Sequence, residues 1–148
     1  MARTIASARQ TDDSITAALD VIGDRWSLLV LRAVFRGIHR FSDLREDIGI
    51  ASNLLSSRLS RLVENNILEK VPYQDRPPRH EYRLTEAGRD LSPVLIALMQ
   101  WGDVHRSDGL AQTVLVHTQC GAPVVNTTRC TACEDIVDAT SIRRHDDG

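Results

Sequence analysis

The sequence predicts a mainly α, α+β fold, and three features of the 148-residue chain lead to that prediction. Apolar residues recur at helical spacing in several segments, which indicates amphipathic helices. Residues 68–73 and 79–84 are short runs typical of two antiparallel strands. A long segment with one apolar stripe follows, from residue 85 to about residue 105. The predicted order is therefore four helices, one hairpin and a long helix.

The first two predicted helices occupy most of residues 12–36. Asp12, Asp13 or Ser14 can cap the first helix, and Gly23 ends it. The second helix, which ends near Arg36, is apolar almost all round, as is typical of a central core helix. The polar residues 1–11 predict a flexible N-terminus.

The next two predicted helices are joined by a tight turn. Ser42 is predicted to cap the third helix, residues 43–48, and the fourth runs from Ser52 to Asn65. The fourth helix has one buried stripe, formed by Leu55, Leu59 and Leu62. Two helices joined in this way and followed by a hairpin predict a winged helix-turn-helix, which places its second helix in the DNA major groove.

The predicted hairpin and the last helix complete this unit. Residues 74–78 are expected to form a protruding loop, because Pro77 and Pro78 disfavour a regular strand ladder. Thr85 is expected to cap the long helix to about His105, and Pro93 to kink it. We assign residues 12–105 to the winged helix domain with its dimerisation helices, and residues 106–148 to a cysteine-containing extension.

The exposed face of the fourth helix has the composition of a DNA-contacting surface. Residues 52–63 contain no acidic residue, and small hydroxyls allow close approach to bases and phosphates. Asn53 can pair with adenine, and Arg61 with guanine or phosphate. The predicted DNA contacts are Ser52, Asn53, Ser56, Ser57, Ser60 and Arg61 of the helix, Arg76 and Arg79 of the wing, and Arg40 before the third helix. The alternative for each is a solvated surface residue.

Charge and composition agree with double-stranded DNA as the partner and disfavour several other classes. The net charge is −2, but residues 25–89 hold twelve Lys and Arg against eight Asp and Glu. The sequence has no Gly-rich phosphate loop, nucleophile elbow or paired catalytic carboxylates, so we expect no enzyme. No apolar run could span a membrane, and residues 1–10 lack the core of a secretory signal, which predicts a cytoplasmic protein without a membrane partner.

Four segments resemble HxlR-type transcriptional regulators: residues 18–26 (ALDVIGDRW), 40–44 (RFSDL), 55–62 (LSSRLSRL) and 82–88 (YRLTEAG), together with Pro93 and Trp101. The resemblance covers residues 13–105. It implies a MarR-like winged helix homodimer, a repressor by default, that binds a partly palindromic operator through an interface built from the first and last helices. Many such relatives carry a sensor cysteine just before the first helix. This chain has Asp13 there, so that switch is not carried over.

Two alternative functions stay open at this point. One is a winged helix used for protein–protein contact, although such a module would not need an acid-free recognition face. The other is a regulator that responds to a small apolar effector, held between the DNA-binding unit and the dimerisation helices. Trp26 and Trp101 are candidates for lining such a pocket, with core packing as the plainer role for both.

The cysteines form a pattern of their own in the extension. His117 and Cys120 make one pair, and Cys130 and Cys133 make another, each with an offset of three residues. Such pairs are typical of the two halves of a tetrahedral structural zinc site. The alternatives are a redox disulfide between Cys130 and Cys133, with Cys120 free, or three ordinary thiols.

Overall fold

The computed structural model describes residues 13–108 and 113–143, and it confirms the mainly helical α+β fold. The predicted flexible N-terminus, residues 1–11, lies outside the described residues. The helices and strands, in chain order, are α1 (Ser14–Ile22), α2 (Arg25–Phe35), α3 (Phe41–Ile48), α4 (Ser52–Glu64), β1 (Leu68–Asp75), β2 (Pro78–Leu84), α5 (Glu86–Arg89) and α6 (Ser92–Arg106).

Aspartate side chains cap the first two helices. Asp13 accepts a hydrogen bond from the backbone N–H of Ile15 at 3.2 Å, and Asp24 accepts one from that of Ser27 at 3.0 Å. These contacts satisfy N–H groups that have no partner within the helix. The predicted cap of α3 by Ser42 is wrong. Helix α3 begins at Phe41, so Ser42 already lies in its first turn, and its hydroxyl donates to Asp43 Oδ1 at 3.0 Å.

The core lies where α2, α3, α4 and the start of β1 meet. Leu31 of α2, Leu44 of α3 and Leu68 of β1 are almost completely buried, as is the predicted leucine stripe of α4. Burial of each such side chain contributes about 1.5–3 kcal/mol to folding. The face that α4 turns to this core fixes which of its residues remain in solvent.

The two strands form an antiparallel hairpin that extends further than predicted. Cα pairing runs from Leu68–Leu84 to Asp75–Pro78, with an irregularity between Pro72 and Gln74. The predicted five-residue loop is therefore wrong, since only Arg76 and Pro77 form the turn. Both strands are edge strands of a two-stranded sheet, the position in a sheet where proline is tolerated.

The predicted long C-terminal helix is confirmed as α6, but its predicted start after Thr85 and its predicted kink at Pro93 are wrong, because two separate helices occupy this segment. Thr85 does cap the first, with its Oγ1 accepting a hydrogen bond from Gly88 N–H at 3.0 Å. Helix α5 ends at Arg89 and α6 begins at Ser92, which places Pro93 in the first turn of α6. Proline is tolerated in a first turn, where its missing N–H removes no helical hydrogen bond.

The chain divides into two compact units, one that ends at Ser92 and one that begins at Pro93. The predicted boundary between residues 105 and 106 falls inside the second unit, because α6 is bonded to the extension. Asn126 donates its side-chain amide to the Pro93 carbonyl at 2.8 Å and its backbone N–H to Gln100 Oε1 at 3.1 Å. Gln100 in turn donates to the Val124 carbonyl at 3.1 Å.

Candidate nucleic-acid interface

A short glycine turn sets α4 against α3. Gly49 ends α3 with φ +71°, a left-handed conformation that glycine adopts without steric cost. Ile50 follows and is buried, so the turn itself contributes to the core. The pair therefore has the helix–turn–helix arrangement that the sequence predicted.

The face of α4 opposite its leucine stripe is open to solvent. Its exposed residues include five predicted DNA contacts, which are Ser52, Asn53, Ser56, Ser57 and Ser60. The first acidic residue of α4 is Glu64, at its last position. A helix surface that is small, polar and free of carboxylates can approach phosphates and base edges closely.

Arg61 does not belong to this face. Its guanidinium donates to the backbone carbonyl of Asp20 in α1. Arg58, one turn earlier on the same side of α4, pairs with Asp24 through Nε at 3.0 Å. Arg61 therefore contacts α1 in this structure, and its DNA contact stays a prediction. The spacing of three residues between the two arginines was the signal that they share a side of the helix.

Asp24 is the acidic residue beside the arginine side of α4, the side that carries Arg58 and Arg61. Burial raises the pKa of the Asp24 carboxyl, but hydrogen bonds from Ser27 and the charge of Arg58 outweigh that effect and lower the pKa below its ordinary value. The Ser27 hydroxyl, itself fully buried, donates to Oδ2 at 2.5 Å. Asp24 therefore stays ionised at neutral pH.

Arg45 is a candidate contact that the sequence reasoning missed. It is exposed on α3, and its Nη1 donates to Ser52 Oγ at 2.9 Å, which brings a positive charge to the first turn of α4. Seven residues and a turn separate the two positions, so helical spacing alone could not bring them together.

The predicted wing arginines of the hairpin are accessible to solvent. Arg76 at the turn and Arg79, paired across the strands with Gln74, are both exposed. Gln74 Nε2 donates to the Arg76 carbonyl at 3.1 Å and so orders the tip. Arg40 lies with its guanidinium 4.6 Å from the centre of the Tyr73 ring, a cation–π contact that joins it to β1.

These features coincide with the segment that a family model matches, the HxlR-like helix-turn-helix, over residues 21–109. The chain belongs to the HxlR-like family. An uncharacterized HTH-type transcriptional regulator of Mycobacterium tuberculosis is 43% identical over 144 residues, covering 96% of this chain and 90% of that protein. The Escherichia coli HTH-type regulator YtfH is 36% identical over 91 residues, 61% of this chain and 72% of YtfH.

Solved structures agree with this membership. The crystal structure of PA1607, a candidate transcription factor, matches with a TM-score of 0.83 at 35% identity, covering 93% of this chain and 97% of PA1607. The redox regulator HypR in its reduced form matches with a TM-score of 0.60 at 31% identity, over 64% of this chain and 94% of HypR. This HxlR-like protein is therefore a transcriptional regulator with a helix-turn-helix DNA-binding fold, and not an enzyme.

The first residue of the described range and the length of the helices are also informative for this HxlR-like chain. Asp13 stands where we expected relatives to carry a sensor cysteine, and it serves as the cap of α1. In the described ranges, 13–108 and 113–143, no helix is long and apolar enough to cross a membrane. The individual DNA contacts stay predictions at this point.

Proposed function

We propose that this regulator works in the cytoplasm as a homodimeric repressor that binds a partly palindromic operator. The observation that carries the proposal is the exposed, acid-free face of α4, with Arg45 beside its first turn. In this arrangement α4 reads base edges in the major groove, with Asn53 near its start as the candidate adenine contact. Arg76 and Arg79 of the wing would bind phosphates or enter the minor groove.

Two apolar helix faces support the homodimer. Ile15 and Leu19, four residues apart on α1, are 66% and 56% exposed. On α6, Val94, Leu98 and Trp101 line a groove, and Trp101 is 54% exposed. We commit to a second copy of this chain as the occupant, because a palindromic site needs two recognition helices related by a twofold axis.

The proposal is tested by titrating the full chain with a fluorescent duplex from its own upstream region, against a scrambled duplex, at two salt concentrations. We expect a preference of at least about a hundredfold for the native duplex and a steep loss of affinity as salt rises. Equal, weak binding to both duplexes would contradict self-regulated operator binding and favour a protein partner. A reporter fused to the same region distinguishes repression from activation by the direction of its change when the regulator is deleted.

Single substitutions assign the contacts. Asn53→Ala is expected to cost about 1–3 kcal/mol of binding and to relax the preference at one base pair. Arg76→Ala is expected to weaken binding to all duplexes alike and to reduce the salt slope by about one. Arg36→Ala is the matched control, because Arg36 is also exposed but pairs with Asp47 at 3.1 Å. An effect of Arg36→Ala as large as that of Arg76→Ala would argue against a specific wing contact.

The effector pocket proposed from the sequence stays a prediction. Trp26 and Trp101 belong to different compact units. Trp26 is half-buried, and the Arg25 guanidinium lies 5.5 Å from the centre of the Trp26 ring. This position favours a packing role for Trp26 in α2. Trp101 lines the α6 groove that the homodimer proposal assigns to a second copy.

A further inference from the structure

The extension contains two turns with the same backbone structure, thirteen residues apart. In the first turn (residues 115–124), Val124 N–H donates to the Leu115 carbonyl at 2.8 Å and His117 N–H to the Ala122 carbonyl at 2.8 Å. In the second turn (residues 128–137), the equivalent bonds run from Val137 to Thr128 and from Cys130 to Asp135, each at 2.9 Å. Each turn also closes with one antiparallel bridge, Val116–Pro123 in the first and Arg129–Ile136 in the second.

The metal-binding side chains occupy equivalent positions in the two turns. His117 corresponds to Cys130, and Cys120 to Cys133. The residue after each second donor has a left-handed backbone, with φ +71° at Gly121 and φ +61° at Glu134. Glycine adopts this conformation without steric cost, whereas Glu134 adopts it at a cost, so the second turn keeps the shape of the first despite its different residue.

Within each turn the two donors already lie together. His117 Nδ1 is 3.3 Å from Cys120 Sγ. In the second turn, the backbone N–H groups of Ala132 and Cys133 and the Cys133 side chain lie beside the Cys130 sulfur as hydrogen-bond donors. Hydrogen bonds to the ligand atoms are typical of the surroundings of metal sites in proteins.

We propose that the two turns bind one structural Zn²⁺ through His117, Cys120, Cys130 and Cys133. One imidazole and three thiolates form a closed tetrahedral set, which leaves no open position for catalysis. The role of the ion would be to hold together a segment with little apolar core, since Val116, Val125 and Ile136 are all more than half exposed.

The proposal requires the two turns to close on the ion. Among the residues that the structure describes, no three His, Cys, Asp or Glu side chains are placed to hold one ion together. Only residues 125–127 separate the turns, so residues 124 and 128 lie at most about 14 Å apart. Asn126, in that connection, and the carbonyl of Val124, at the end of the first turn, are bonded to α6. Closure on the ion would therefore have to move the remaining residues of the two turns.

A disulfide between Cys130 and Cys133 is the competing role. It would use only the second turn and would leave unexplained why the first turn repeats the same backbone bonds around a histidine and a third cysteine. Zinc binding uses all four side chains, and it releases protons from the thiols as they ionise.

The test uses the full chain, purified under reducing conditions without a histidine tag or chelator. We expect about one equivalent of zinc per chain by elemental analysis, as for a single closed tetrahedral site. Replacement by Co²⁺ is expected to give the visible bands of tetrahedral coordination and the charge-transfer absorption of thiolate ligands. Zinc is also expected to protect all three cysteines together from alkylation, which mass spectrometry measures on the unmodified chain.

Variants assign the ligands. Cys120→Ser and His117→Ala, both in the first turn, are expected to abolish binding against a competing chelator. Thr118→Ala, an exposed change in the same turn, is the matched control and is expected to retain zinc. Loss of zinc in Cys133→Ser alone, with His117→Ala and Cys120→Ser unaffected, would overturn the shared site.

Three other results would overturn the proposal as well. One is less than about a tenth of an equivalent of zinc, with no uptake on adding Zn²⁺, given that structural sites bind tightly. Another is half an equivalent per chain, which would place the metal between two copies. The last is a metal-free chain with a Cys130–Cys133 disulfide, which would assign the pair to redox chemistry. None of these results depends on DNA binding.

Discussion

Asp24 joins α2 to α4 through three contacts of one carboxylate. It caps α2 through Ser27 N–H, accepts the buried Ser27 hydroxyl and pairs with Arg58 of α4. The Arg58 Nε is buried and lies 3.0 Å from Oδ1 without the alignment of a good hydrogen bond, so the contact is an ion pair. Asp24 therefore fixes the arginine side of α4, and with it the direction of the serine face.

The lowered pKa of Asp24 predicts a pH-dependent contribution to stability. A carboxyl whose pKa is lower in the folded state stabilises the fold above its unfolded pKa, about 3.9, and this contribution is lost as pH falls through the folded value. Asp24→Asn is expected to be less stable than the native chain at pH 7, by about 1 kcal/mol. The difference should disappear at pH values where Asp24 is protonated. Chemical denaturation at several pH values measures it.

Asp20→Asn is the control for this prediction, since Asp20 is an exposed residue of α1 whose backbone carbonyl, not its carboxylate, accepts the Arg61 bond. We expect little change in its free energy of unfolding at any of these pH values. A constant difference for Asp24→Asn across the whole range would show that the charge of Asp24 does not contribute.

At the scale of single residues, the sequence predicted well which residues of α4 are exposed. It predicted less well the direction in which an arginine side chain of α4 points. The five exposed positions Ser52, Asn53, Ser56, Ser57 and Ser60 follow from the leucine spacing, because residues between the members of a buried stripe lie on the other side of a helix. The direction of Arg61 depends on which helix lies beside α4. That neighbour, α1, is separated from α4 by two intervening helices in the sequence, so periodicity within α4 could not identify it.

At the scale of elements, the turn between α3 and α4 restricts which residue can occupy position 49. Nothing lies within 4 Å of a Cβ added at Gly49, so the only obstacle to a side chain there is the positive φ. Gly102, inside α6, also has open space around such a Cβ. The same methyl group is therefore expected to have opposite effects at the two positions.

Gly49→Ala is expected to destabilise the protein by about 1–2 kcal/mol, the cost of a left-handed non-glycine residue. Gly102→Ala is expected to leave stability unchanged or to raise it by up to about 1 kcal/mol, because alanine is the better helix former. Thermal unfolding followed by circular dichroism compares the two variants. A lower midpoint for Gly102→Ala than for Gly49→Ala would contradict the role assigned to the turn.

The hairpin and the last helices show where element boundaries escaped prediction. Both errors concern proline, which the sequence analysis took as a breaker at residues 77–78 and as a kink at residue 93. Proline is tolerated on the outer side of an edge strand and in the first turn of a helix. Whether a strand is an edge strand, and where a helix starts, depends on the neighbouring segments of the same protein. A proline in the sequence is therefore compatible with several structures.

At the scale of the whole molecule, the grouping of α6 with the extension rests largely on Asn126. Its hydrogen bonds to Pro93 and Gln100 join the connection between the two turns to the start and the middle of α6. A winged helix unit that stops at Ser92 and an extension that begins with α6 are therefore the natural parts to compare in solution.

Asn126→Ala is expected to loosen the extension from α6. Loss of a bond worth about 1 kcal/mol should speed amide exchange of the backbone in residues 114–137 by about fivefold. Hydrogen–deuterium exchange with mass spectrometry measures this, and Thr127→Ala, the adjacent exposed residue, is the control. Unchanged exchange in Asn126→Ala would show that other contacts hold the extension.

The proposed homodimer makes a prediction for α6. Leu98→Asp places a charge in the middle of the exposed apolar face and is expected to give a monomer by light scattering, with operator binding weakened at least about a hundredfold. Ile142→Asp is the matched control, an equally exposed apolar residue outside α6 that should leave the dimer intact. A dimer in Leu98→Asp would move the interface away from this face.

The sequence by itself determined the order of the elements, the leucine core of the helix-turn-helix, the exposed serine face and the family, because each depends on local periodicity or on contiguous motifs. The tertiary structure alone decided the direction of Arg58 and Arg61, the place of Arg45 beside Ser52, the length of the hairpin and the assignment of α6 to the second unit. It also showed that the two turns, whose equal donor spacing is visible in the sequence, share the same backbone hydrogen bonds. These features arise from contacts between segments distant in the chain, or from backbone geometry, and side-chain spacing specifies neither.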